Sequence, residues 1–198
     1  SKHNSANQLA CSEAGAVAPL VAMLGSPQPE MQATAAGAIS ALSRSNTENQ
    51  AAVARTGAIA PLCALVREGS PETKEQSASA LWSLSTDNAP NKATIAKLGG
   101  IEPLVGLLVS GSSDKAGDYA AGALASLASR HTENRSAIAK RLVGLLNAKG
   151  HERVRLPLGI ERWGLKRWGL ARWGLERTWA CRLAPLLLTW TRAQTSPS

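Results

Sequence analysis

The side chains able to do chemistry are few and far apart. Three histidines (His3, His131, His151) and three cysteines (Cys11, Cys63, Cys181) are scattered over 198 residues. No histidine has a cysteine or carboxylate at ligand spacing, so no metal site is expected. No glycine-rich phosphate loop follows a strand; Gly111-Ser112-Ser113 falls between two predicted helices. His131 follows a predicted helix and is read as a solvated helix-end residue. Asn134-Arg135-Ser136 spells a glycosylation sequon, but inside a predicted helix, and is read as silent. Cys63 takes an apolar position and is read as buried. No nucleophile, base and orienting group converge, so the chain is read as a non-enzyme with no cofactor and no small-molecule substrate.

Such a chain acts through a surface, and composition says what kind of body carries it. Hydrophobic residues make up 44% and charged residues 18%, enough for a packed core. There is no Phe, one Tyr and six Trp, and five of the Trp lie beyond residue 160. The core of residues 1–150 is therefore built from Ala, Leu, Ile and Val, which favours close-packed helices over a sandwich or barrel. Charge divides the same way: 13 basic and 11 acidic residues in 1–150, against 9 and 3 in 151–198. The net +8 is mostly a property of the last segment. An odd, widely spaced cysteine set fits neither a disulfide framework nor a zinc site. A reducing compartment, cytoplasmic and/or nuclear, is expected. No signal-peptide pattern opens the chain, and no apolar run nears the roughly 20 residues of a membrane helix.

The body is repetitive. Pro19-Leu20, Pro61-Leu62 and Pro103-Leu104 recur every 42 residues, as do Asn7, Asn49 and Asn91, with Asn134 following at 43. The one-residue slip fits an insertion at Ser112-Ser113-Asp114, where a polar loop tolerates length change. Each unit reads as three helices. The first runs from the Asn to a Gly (Gly15, Gly57, Gly99) that supplies a left-handed helix end. The second opens with Pro in its first turn. The third buries Ala35, Ala38, Ile39 and Leu42, then Ser77, Ala80, Leu81 and Leu84, then Ala120, Ala123, Leu124 and Leu127. Those are i, i+3, i+4, i+7 stripes. One unit cannot bury such a face alone, but stacked units can.

The Asn-Gln pair, the Gly-Ala and Gly-Ile turns, the Pro-Leu openings and the runs AAGAISALS, SASALWSLS and AAGALASLA together resemble the armadillo repeat family over roughly Asn4 to Asn147. The implied fold is all-α: a right-handed superhelical solenoid of about three repeats, truncated, with an irregular C-terminal tail. Residues 1–147 are assigned to the solenoid and 148–198 to a basic Trp/Arg/Gly tail. The chain opens inside a unit, so a missing upstream helix is expected. At Lys140 the sequence enters RLVGLL about five residues early, without the Gly turn. With no polar capping unit at either end, exposed Leu and Ala faces are expected.

In armadillo proteins the third helices line a concave groove for extended peptides, and the resemblance implies the same here. The implied row is Glu75, Ser79, Trp82, Ser83, Asp118, Gly122 and Ser126. The carboxylates suit a basic partner, although solvated surface charge is the commoner role. Trp82 is open to two readings, a wedge between units or a stacking platform for a peptide. Nuclear-import adaptors place a Trp where this chain has Gly37, Ser79 and Gly122. They place an Asn where it has Ala41, Ser83 and Ser126. Neither is kept, and the AAGAL wording is closer to catenin-like and plant or protist members.

In the tail, Gly159, Gly164, Gly169 and Gly174 recur every five residues, as do Trp163, Trp168 and Trp173. A step of five spreads Trp around a helix, so no membrane-facing stripe forms. Three functional readings follow. The first is a peptide-binding scaffold. The second is nucleic-acid or anionic-membrane binding through the tail. The third is a truncated product without independent function, its pentads the trace of a tandem repeat read out of frame.

Overall fold

The computed structural model describes residues 2–110 and 113–148, and these form ten helices with no strand among them. In chain order they are α1 (Lys2–Glu13), α2 (Val17–Met23), α3 (Pro29–Ser43), α4 (Thr47–Arg55), α5 (Ile59–Glu68) and α6 (Pro71–Ser85). There follow α7 (Ala89–Lys97), α8 (Ile101–Ser110), α9 (Asp114–Ala128) and α10 (Thr132–Ala148). α3, α6 and α9 are the third helices of successive units, and α3 lies along α6 as α6 lies along α9.

The turns follow from local chemistry. Gly15, Gly57 and Gly99 adopt φ of 81°, 83° and 73°. Around Gly99, the Gly99 N–H donates to Ala96 O at 3.0 Å and the Gly100 N–H to Ile95 O at 2.9 Å. This paired closure needs a residue without a Cβ penalty in the left-handed region. Pro29 and Pro71 stand at the first position of α3 and α6, where no N–H is needed. Ser70 and Ser113 cap α6 and α9 through their hydroxyls, accepting from the N–H groups of Thr73 and Ala116.

The first helices start two residues earlier than expected. α4 and α7 begin at Thr47 and Ala89, not at Asn49 and Asn91. The reason is a second Asn: Asn46 and Asn88 accept the N–H groups of Asn49 and Asn91 at 3.0 and 3.1 Å and so cap the helices. The expected core stripes are fully buried on α6 and α9. On α3, Ala38 and Leu42 are only half-buried, because the second helix packed beside it, α2, is 7 residues long against 10 for α5 and α8 and covers less of it. Leu62, Leu81, Leu84, Ile95, Leu104 and Leu127 form the fully enclosed centre.

At Lys140, where the Gly turn is missing, α10 runs straight through for 17 residues, against 9 for α4 and α7. Among residues 5–110 and 113–144, whose side chains are described, the large apolar ones exposed are Met31 and Leu98. α10 brings Ile138 and, half-buried, Leu142 onto the core; the rest of the Leu face expected to be bare at this end falls on side chains outside the described ones. The tail assignment, 148–198, lies outside the described residues from 149 on.

Candidate functional site

The third-helix row divides into two seams of different character. Between α3 and α6 the contact is polar and closed. Ser40 Oγ lies 2.9 Å from Ser79 Oγ and 3.0 Å from Ser83 Oγ, and all three side chains are buried. Ser79 and Ser83, expected to present small side chains to a peptide, are instead spent on holding two helices together. Hydroxyls can serve this way because small side chains let helix axes approach closely. Ser40 was not anticipated as their partner.

Between α6 and α9 the contact is aromatic. Trp82 occupies the position one unit on from Ser40 and is half-buried. Its indole lies against Gly122: a Cβ there would stand 2.7 Å from Cδ2 and 2.8 Å from Cε2. Tyr119 stands beside it, ring centroids 6.3 Å apart and planes tilted 46°. Such a tilted pair suits the ring quadrupoles. Trp82 is therefore a wedge between units, and it remains half-buried. Glu75, half-buried, accepts the Ser113 hydroxyl at 3.2 Å and so reaches the cap of α9. Asp118 is exposed, and Gly122 and Ser126 are half-buried on the same helix.

The Asn-Gln pairs turn out to be clamps between units. Asn49 Nδ2 donates to Leu42 O and to Gln8 O, both at 3.0 Å. Asn91 does the same to Leu84 O and Gln50 O at 2.9 and 3.4 Å. Asn134 repeats it with Leu127 O and Lys92 O at 3.2 and 3.4 Å. Gln50 Nε2 reaches the end of the next third helix, donating to Ser83 O at 2.8 Å and Thr86 O at 3.2 Å. Orphan carbonyls at each helix end are thereby satisfied. The 42-residue recurrence signalled these residues; their partners, some 40 residues away, it did not.

His131 is more than a solvated end residue, since its Nδ1 accepts the Asn134 N–H at 3.4 Å. Asn134 itself is buried with its amide engaged, which closes the sequon. Cys63 is buried as expected, and burial pushes its thiol up to about 11, against a smaller opposing pull from Arg67. Burial also lowers the Lys92 pKa, with Asp87 raising it and Arg130 lowering it further. No group of three or more potential metal ligands occurs among the described residues. No single described helix is long and apolar enough to cross a membrane.

The family model for the armadillo/beta-catenin-like repeat matches residues 4–44 and 46–86. No curated protein matches. Among solved structures, an engineered protein is 30% identical with a TM-score of 0.66, over 74% of this chain and 61% of its own. A designed armadillo repeat protein in complex with the peptide (KR)4 is 26% identical with a TM-score of 0.66, over 75% and 63%. A computationally designed armadillo repeat protein for modular peptide recognition is 25% identical with a TM-score of 0.65, over the same shares. The chain thus spans somewhat over 60% of the length of these structures.

Proposed function

The chain belongs to the armadillo repeat family, a family of scaffolds that are generally non-catalytic, and we propose that it binds an extended, basic peptide segment along its third-helix row. The observation that carries this reading is the α6–α9 seam. There a half-exposed indole is fixed on Gly122 beside Tyr119, with the exposed Asp118 carboxylate on the same face of α9. An aromatic face attracts a Lys or Arg side chain, and a nearby carboxylate adds Coulomb attraction that salt screens. Trp82 is the anchor, Asp118 the charge partner and Glu75 a weaker one, because its carboxylate already accepts from Ser113. The bound (KR)4 peptide of the designed relative is consistent with this chemistry.

The test is fluorescence anisotropy with a labelled octapeptide of alternating Lys and Arg and the full chain. Trp82→Ala is expected to weaken binding by about tenfold or more, the scale of an interface anchor. Asp118→Lys should weaken it too, and less at high salt. Binding unchanged by both substitutions in folded protein would refute the groove reading. Binding lost only on deleting residues 149–198 would instead assign the activity to the basic tail.

A further inference from the structure

The junctions between successive units share one plan, and the third departs from it at two titratable positions. At the second junction, Asn88 Oδ1 caps α7 while Asn88 Nδ2 donates to Gln50 Oε1 at 3.1 Å. At the first, Asn46 and Gln8 stand in the same relation, the amides 3.5 Å apart. At the third, His131 stands in the place of Asn46 and Asn88, and Lys92 in the place of Gln8 and Gln50. Lys92 is buried, and its Nζ donates to Ser129 O at 3.0 Å. A pair of amides, each both donor and acceptor, has been replaced by an imidazole and an ammonium that can only donate.

We propose that this junction is an acid-sensitive latch, in which neutral His131 keeps α10 seated on α8 and α9 and protonated His131 releases it. Two effects act in the same direction. A protonated imidazole has two N–H donors and no lone pair, so the Asn134 N–H loses its cap. The new charge also arises at the position equivalent to Asn46 and Asn88, which pair with Gln8 and Gln50 at the earlier junctions, and the counterpart of those glutamines here is the buried Lys92. The charged groups of the junction are Lys92, on which Asp87 and Arg130 act, and, within four residues of His131 in the chain, Arg130, Glu133 and Arg135. Three of the five are cationic. The Arg141–Glu102 ion pair between α10 and α8 is exposed on both sides and cannot hold the helix alone. Release uncovers the surface that Ile138 and Ala139 now bury. The latch is independent of the peptide-binding reading, which rests on the α6–α9 seam.

Amide hydrogen exchange on the full chain, between pH 7.5 and 5.5 and corrected for intrinsic rates, tests it. Protection of the amides of residues 134–141 should fall at least tenfold more than that of α4 and α7, whose caps are Asn46 and Asn88. His131→Asn, which restores the cap of the other junctions, should remove this extra loss. Lys92→Gln should reduce it without removing it. In parallel, the NMR titration midpoint of the His131 imidazole should coincide with that of the α10 amides. If α10 tracks α4 and α7 at both pH values, or His131→Asn retains the extra loss, the latch is refuted.

Discussion

Replacing Gly122 by Ala tests the Trp82 wedge most directly. The added methyl would stand 2.7, 2.8 and 3.0 Å from indole atoms Cδ2, Cε2 and Cε3, where carbon atoms prefer about 3.5–4.0 Å. All three are ring atoms, so relief requires moving the whole indole. Overpacking of this kind costs about 1–3 kcal/mol. Against it stands the helix preference for Ala over Gly, about 1 kcal/mol. Gly122→Ala should therefore leave the protein roughly 0–2 kcal/mol less stable. In a Trp82→Ala background the overlap vanishes and only the helix preference remains. There the same substitution should stabilise by about 1 kcal/mol. The coupling between the two sites is thus about 1–3 kcal/mol, measurable by a double-mutant cycle from urea melts followed by far-UV circular dichroism. If Gly122→Ala stabilises equally in both backgrounds, the indole does not lie on Gly122. The seam would then not fix Trp82 for peptide stacking, and the groove proposal would lose its anchor.

Three further outcomes follow from the same structure. Gln50→Ala removes donors to Ser83 O and Thr86 O and the acceptor for Asn88 Nδ2, and should cost roughly 3–5 kcal/mol in a urea melt. Cys63 holds its proton to about 11 in the folded chain, from an ordinary 9.0. Its contribution is therefore complete below pH 9 and lost as the pH rises through 11, about 2–3 kcal/mol in all. The pH 8 to 11 change in stability should be smaller in Cys63→Ala by that amount. Arg130 adopts a φ of 56°, a left-handed conformation that a side chain disfavours by about 1–2 kcal/mol. Arg130→Gly should raise stability by about 0.5–1 kcal/mol after the entropy cost of Gly, and an unchanged or lowered melting midpoint would contradict this.

The repeat and most helix boundaries were legible in the residues alone, because those depend on signals within a few residues. Gly57 closes a helix wherever φ must be positive, Pro71 opens one where no N–H is needed, and Ala120, Ala123, Leu124 and Leu127 mark one face by spacing alone. The repeat also marked Asn49, Asn91 and Asn134 as equivalent. Tertiary structure alone decided what each marked side chain touches. Ser79 and Ser83 lie on the row expected to face a peptide, yet Ser40, about 40 residues earlier, turns them into a buried seam. Trp82 becomes a wedge because Gly122 leaves room for the ring on the neighbouring helix. His131 becomes a cap because the turn after α9 repeats the geometry that Asn46 and Asn88 occupy earlier. Local periodicity fixes which way a side chain points from its own helix. Which atoms meet it depends on how closely the next unit packs, and that distance is set by side chains some forty residues away.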